Sequence, residues 1–191
     1  MKVFGVAGIK NSGKTTLVVE LITELKSRGL RVATVKHAHH EFDIDHPGKD
    51  SHRLRQAGAC QMLIASRDRL AWIEETPGQT REPTLAQTLS LLDTTRLDLV
   101  LVEGFKRESF PKIELHRPSQ GRPLLHPDDP DIIAVASDAP LPAGSGTLPL
   151  LDLNQPQQIA TFVLQFIDRP ARSRLRRKQH LHVLKQHLHV L

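Results

Sequence analysis

Nine residues near the start of the chain, Gly8 to Thr16 (GIKNSGKTT), constrain its folding more than any others. They satisfy the pattern G-x-x-x-x-G-K-[ST], and the pattern has meaning only when a strand precedes it and a helix follows. Both flanks fit. Val3-Phe4-Gly5-Val6-Ala7 is a short apolar run of strand character, and Leu17, Val18, Leu21, Ile22 and Leu25 recur at the spacing of one helix face.

The residue types suit a polyphosphate. Gly8 and Gly13 allow the backbone to bend with its N–H groups inward, so that the loop, with Asn11 and Ser12, and the helix N-terminus form a nest for phosphate oxygens. Lys14 is placed to neutralise β- and γ-phosphate charge. Thr15 offers a hydroxyl to Mg²⁺, a cation that prefers oxygen ligands, and Thr16 is placed for the α-phosphate. An uncompensated lysine in the first helical turn is unfavourable beside the helix dipole, which favours a bound anion over an ordinary strand-to-helix turn.

The rest of the chain reads as alternating strands and helices. Gly29 closes the first helix, and Arg31–Val35 is a second strand. A polar loop, Lys36 to Lys49, is dense in His and Asp, and Asp50 and Ser51 are candidate caps of a short helix ending at Gly58. Met62–Ala65 and Leu70–Ile73 flank Arg67-Asp68-Arg69 as a hairpin, and Thr76 to Pro83 is a Pro- and Gly-containing linker. A helix over about 84–92 leads to Leu97–Val102, an apolar run suited to a central parallel strand. Further strands are expected at 112–116 and 132–136, then a helix carrying Ile159, Phe162, Val163, Phe166 and Ile167. The expected fold is α/β: a P-loop NTPase-like, mostly parallel sheet flanked by helices, with a β-hairpin insertion. Ligands then gather at the carboxyl ends of strands.

That edge selects further candidates. Asp98 opens its strand and so sits at the wrong end, whereas Glu103 closes it and is the better candidate for contact with Mg²⁺ or its water, and hence for a catalytic role. The loop after the second strand falls on the same edge, so Lys36, His37, Asp45, Lys49 and Asp50 are candidates for contact with phosphate or a cofactor. Its histidines, including His39, His40 and His46, match no standard zinc spacing.

Length and charge bound the function. At 191 residues, 39% hydrophobic and 25% charged, the chain suits one globular domain, expected at 1–168. No apolar run reaches the roughly 20 residues of a membrane helix. MKVFGVAGI is short for a secretory signal and already belongs to the first strand. Net charge is +5, yet residues 169–191 hold seven of the 26 basic residues and no acid, leaving a body with 19 basic against 21 acidic residues. The excess charge lies in a tail, expected to be flexible, that repeats QHLHVL at 179–184 and 186–191; the body offers no nucleic-acid-binding face. A lone cysteine, Cys60, forms no internal disulfide, so a cytoplasmic protein is expected, with Cys60 as a small buried side chain.

Taken together, VAGIKNSGKTT, VKHAHHEFDIDHPGKDS at 35–51, AGA at 57–59, LDLVLVEGFK at 97–106 and IIAVASD at 132–138 resemble the molybdopterin-guanine dinucleotide biosynthesis protein B (MobB) family over about residues 2–168. The resemblance implies a GTP-binding accessory protein, at most weakly hydrolytic, that assists the MobA guanylyltransferase when GMP is attached to molybdenum-bound molybdopterin. It implies Mg²⁺, a homodimer with extended sheet contacts that would use the hairpin at 62–73, and direct contact with molybdopterin as an open question. Gly13, Lys14, Thr15 and Thr16 match the family's phosphate loop, and Glu103 its acidic strand end. Asp138 is the candidate for guanine, because a carboxylate accepts from both N1–H and N2–H, although no [NT]KxD sequence is present. Two other functions fit the same residues: a P-loop small-molecule kinase that holds its acceptor with the His/Asp loop, and a metal-delivery GTPase with His37, His39 and His40 as ligands.

Overall fold

The computed structural model describes residues 2–38, 42–142 and 144–168. The basic tail with its QHLHVL repeat, and His39 and His40, lie outside the described residues. The described residues fall into two compact units, one formed by those up to His37 together with those from Leu85 onward, the other by those within Ala38–Thr84.

The larger unit is built on a six-stranded sheet. β1 (Lys2–Ala7), β2 (Val32–Lys36), β5 (Leu99–Glu103), β6 (Lys112–His116), β7 (Ile132–Ser137) and β8 (Leu150–Asp152) pair in the order β2-β5-β1-β6-β7-β8, every pair parallel. Its helices are α1 (Lys14–Ser27), α3 (Leu85–Ser90) and α4 (Pro156–Asp168). β5 shows why its sequence is an unbroken apolar run: Leu99 and Leu101 join Phe4, Val6 and the buried faces of α1 and α4, while Val100 and Val102 join Leu85, Phe105 and Phe110 on the opposite side. Both faces are covered, so neither alternates with polar residues.

The expected α1 face buries as read, with Leu17, Val18, Leu21 and Leu25 inside. Each fully buried leucine contributes roughly 1.5–3 kcal/mol. Gly29 ends the helix at φ +82°, Leu30 N–H donating to Leu25 O at 3.1 Å and Gly29 N–H to Lys26 O at 3.0 Å, a Schellman closure. Gly5 is required on β1: a Cβ there would stand 2.4 Å from Phe110 Cε2.

β6 carries a polar face. Lys112 and Glu114 are both 1% exposed, and the segment after the strand satisfies them. Asp129 accepts from Lys112 Nζ at 3.0 Å, and Glu114 accepts from the N–H groups of Leu125 and His126 at 2.7 and 2.9 Å. Buried charges are tolerated here because each has its partners.

The smaller unit holds α2 (Asp50–Gln56) and the antiparallel hairpin β3 (Gln61–Ala65) and β4 (Leu70–Glu74). Arg55 knots it together, donating to Glu75 at 2.6 Å, Asp43 at 2.9 Å and Asp45 at 3.2 Å. Its guanidinium pulls the Asp43 carboxyl below the usual carboxylate range. Lys49, not Asp50 or Ser51, occupies the N-cap of α2, because Asp50 is already the first helical residue. Cys60 is exposed, contrary to expectation: it stands just before β3 in a small unit whose short helix α2 buries none of its own side chains, too thin a layer to enclose it.

Candidate functional site

The phosphate loop leaves the carboxyl end of β1, as a parallel sheet requires. Gly13 takes φ +100° at the N-cap of α1, and Asn11 adopts a left-handed φ of +64°. At Gly8 a Cβ would come within 2.8 Å of both Leu115 O and Ser12 Oγ, so only glycine fits the bend. Ser12 is fully buried, and its hydroxyl donates to Ile9 O at 3.0 Å.

Lys14 is the first residue of α1, and its Nζ donates to Ile9 O at 2.6 Å. Burial lowers its pKa; Glu103 opposes that, and the cationic Lys106 and Lys36 add to the lowering. Lys14 therefore shares its surroundings with two further cations against one carboxylate, an environment that favours a bound anion.

Glu103 lies where the sequence put it, at the carboxyl end of β5 beside the loop. Thr15 Oγ1 is 3.0 Å from each of its carboxylate oxygens. A hydroxyl and a carboxylate in contact, next to an anion nest, are the hard oxygen donors Mg²⁺ takes from a protein while keeping waters and phosphate oxygens as its other ligands. These residues fit that ion.

Register brings Lys36 opposite Glu103, and His37 N–H donates to Glu103 O at 2.9 Å. The His37 ring stacks on Phe105 at 4.5 Å between centroids, and Gly104, at φ +102°, would drive a Cβ to within 2.6 Å of His37 Cβ. Lys36 and His37 thus sit at the strand end with Glu103. Asp45, Lys49 and Asp50 belong to the smaller unit: Asp45 accepts from Ser51 Oγ at 2.9 Å and from Arg55, and Asp50 pairs with Arg53 at 3.6 Å. Among the described residues no three His, Cys, Asp or Glu side chains gather as a metal cluster.

Thr16 lines a cleft of about 210 Å³ beside the start of α1, together with Gly13, Glu20, Arg117, Leu153 and Asn154. Asp138 follows β7 on the same sheet edge, but its carboxylate accepts from Arg117 Nη1 and does not line the cleft wall itself. Arg117, Gln120 and Asn154 went unnoticed in the sequence. For Arg117 the signal was present, a basic residue directly after the 112–116 strand at the ligand edge; Asn154 follows β8, a three-residue strand too short to be read.

A family model described as "Molybdopterin guanine dinucleotide synthesis protein B" matches residues 3–138, spanning the loop, Glu103 and Asp138. The chain belongs to the MobB family. It is 45% identical over 164 residues to the molybdopterin-guanine dinucleotide biosynthesis adapter protein of Escherichia coli, covering 85% of this chain and 91% of that one. The Haemophilus influenzae adapter protein is likewise 45% identical over 159 residues, covering 83% and 85%. The crystal structure of a MobB homologue from Bacillus stearothermophilus superposes with a TM-score of 0.65 at 28% identity, covering 87% of this chain and 98% of that one. The resemblance seen in the motifs, and the parallel α/β architecture inferred from them, are those of MobB proteins.

Proposed function

We propose that this chain is a GTP-binding adapter of molybdopterin guanine dinucleotide synthesis, working beside a MobA-type guanylyltransferase. The observation that carries the nucleotide is the contact of Thr15 with Glu103 at the foot of the phosphate loop. Its relatives are named adapter proteins of this biosynthesis, which supports the partner.

In this role Gly8, Asn11, Ser12 and Gly13 cradle the phosphates, Lys14 pairs with the β- and γ-phosphates, and Thr16 meets the α-phosphate. Thr15 and Glu103 would hold Mg²⁺, which would supply charge neutralisation at the terminal phosphates. Glu103, at the strand end, would also orient an attacking water in any GTP hydrolysis, which is at most a weak activity beside the adapter role. Lys36 and His37 flank the terminal phosphates, and Asp138 reads guanine through the loop after β7. Asp45 and Asp50 are engaged by Ser51, Arg55 and Arg53 within the second unit, so with Lys49 they serve that unit rather than the phosphates.

The protein acts as a homodimer in the cytoplasm. One face of the hairpin supports the dimer: Leu63 lies opposite Trp72 and Ala65 opposite Leu70, and Leu63, Leu70 and Trp72 are 59%, 67% and 39% exposed in the single chain. An apolar sheet face of this kind suits a second copy.

The test is reconstitution. Adding the chain to purified guanylyltransferase, molybdate-loaded molybdopterin and GTP should raise the yield of guanine dinucleotide, and K14A should not. Equal yield with and without the chain would remove the adapter role.

A further inference from the structure

A phosphate loop can turn its N–H groups inward only if its carbonyls turn outward, and outward carbonyls need donors of their own. Ile9 O is served by Lys14 Nζ and Ser12 Oγ, and Gly13 O by Leu17 N–H at 3.0 Å. Of the three carbonyls between them, those of Asn11 and Ser12 are held by the segment that follows β6, the parallel neighbour of β1. Gln120 Nε2 donates to Asn11 O at 3.1 Å, and Arg117 Nε donates to Ser12 O at 2.9 Å.

Arg117 does more than serve a carbonyl. Its Nη1 donates to the Asp138 carboxylate, so one planar group has the phosphate loop on one edge and the segment after β7 on the other. Its Nη2 lies 3.5 Å from where a Cβ on Gly13 would stand, at the wall of the cleft that begins α1. A guanidinium offers its donors in a rigid fork, so shifting either acceptor disturbs the other. Lysine would supply the charge without the fork.

We propose that Arg117 is a positioning residue that sets the base preference of the cleft, by holding the Ser12 carbonyl and the Asp138 carboxylate in one fixed relation when a purine nucleoside triphosphate binds. The proposal rests on the nucleotide role assigned above. Phosphate grip and base recognition are then one mechanical unit, and a change at Arg117 acts on the base through Asp138. A brace without this role would weaken every nucleotide alike.

The experiment is calorimetric titration of the full chain with GTP and with ATP, for the parent, R117M, R117K, D138N and the double variant R117M/D138N. R117M should lose about ten-fold in GTP affinity and less in ATP affinity. R117K should lose the same preference despite its charge, and the double variant should discriminate no worse than D138N alone. R117K carries the test if circular dichroism shows R117M unfolded. A parent without preference between the nucleotides, an Arg117 variant with the parent's GTP-to-ATP ratio, or additive losses in the double variant would overturn the proposal. K14A judges the underlying role separately: nucleotide affinity that survives in K14A removes the site itself, whatever Arg117 does.

Discussion

Thr15 Oγ1 stands 3.0 Å from both carboxylate oxygens of Glu103, although the two residues are 88 positions apart in the chain. The fold makes this contact: β1 and β5 are parallel neighbours, so the loop after one and the terminal residue of the other share an edge. In the proposed role, this hydroxyl and carboxylate are the pair that would hold a hard cation.

Glu103→Gln follows from that contact. The amide keeps the shape and loses the charge, so the gain in GTP affinity that Mg²⁺ confers should shrink by about ten-fold. Affinity measured in EDTA should move only by a small factor, and any hydrolysis should fall. Parent-like magnesium dependence in the mutant would remove Glu103 from the cation site.

Asp138→Asn addresses the base. A carboxylate lost opposite two guanine donors leaves them badly paired at a cost of about 1–3 kcal/mol, so the GTP-to-ATP preference should fall roughly ten- to a hundred-fold. Phosphate contacts are common to both nucleotides and cancel in the ratio. An unchanged ratio would move guanine recognition away from Asp138, with Asn154 and Glu20 of the cleft wall as the next residues to vary.

How far the sequence carries depends on how far each signal is local. The strand, loop and helix around Gly8–Thr16 were legible because period, glycine and capping all fall within 25 residues and agree. The place of Glu103 at the carboxyl end of β5 was legible because the apolar run before it fixes where the strand ends. The double contact of Arg117 with Ser12 and Asp138 was not, since both partners are distant in the chain and the second is fixed by strand order rather than by sequence. Cys60 was misjudged for the same reason: residue type predicts burial only when enough layers surround the residue.

Asp98 gives a pH prediction at the opposite edge of the sheet. Arg31 donates to its carboxylate through Nε at 3.1 Å, Nη2 at 3.0 Å and its backbone N–H at 2.8 Å. The side-chain bonds from Arg31, with its backbone N–H next, draw the Asp98 pKa from 3.8 down to about 2. The folded value lies below the unfolded one, so the stabilisation is present above about pH 4 and is lost as pH falls towards 2. Acid denaturation followed by circular dichroism should show a shallower decline between those values in Asp98→Asn than in the parent. Superimposable acid limbs would deny the pair any part in stability.

Trp72→Glu tests the hairpin. A charge in the exposed apolar face formed with Leu63 and Leu70 would have to be desolvated against a second copy, so light scattering should find a dimer for the parent and a monomer for the mutant. A mutant that remains dimeric would move the interface away from β3 and β4.

The most direct measurement is calorimetric titration of GTP, with Mg²⁺ present, into the parent and into Lys14→Ala. Among the described residues Lys14 Nζ donates to Ile9 O, a single contact within its own loop, so its removal should leave the thermal midpoint nearly unchanged. GTP affinity should fall by about a hundred-fold or vanish, because the cation that the proposed role sets against the β- and γ-phosphates is gone. A saturable GTP isotherm in the parent that disappears in the folded mutant is the predicted result. The same isotherm in both, or none in the parent, would contradict the account.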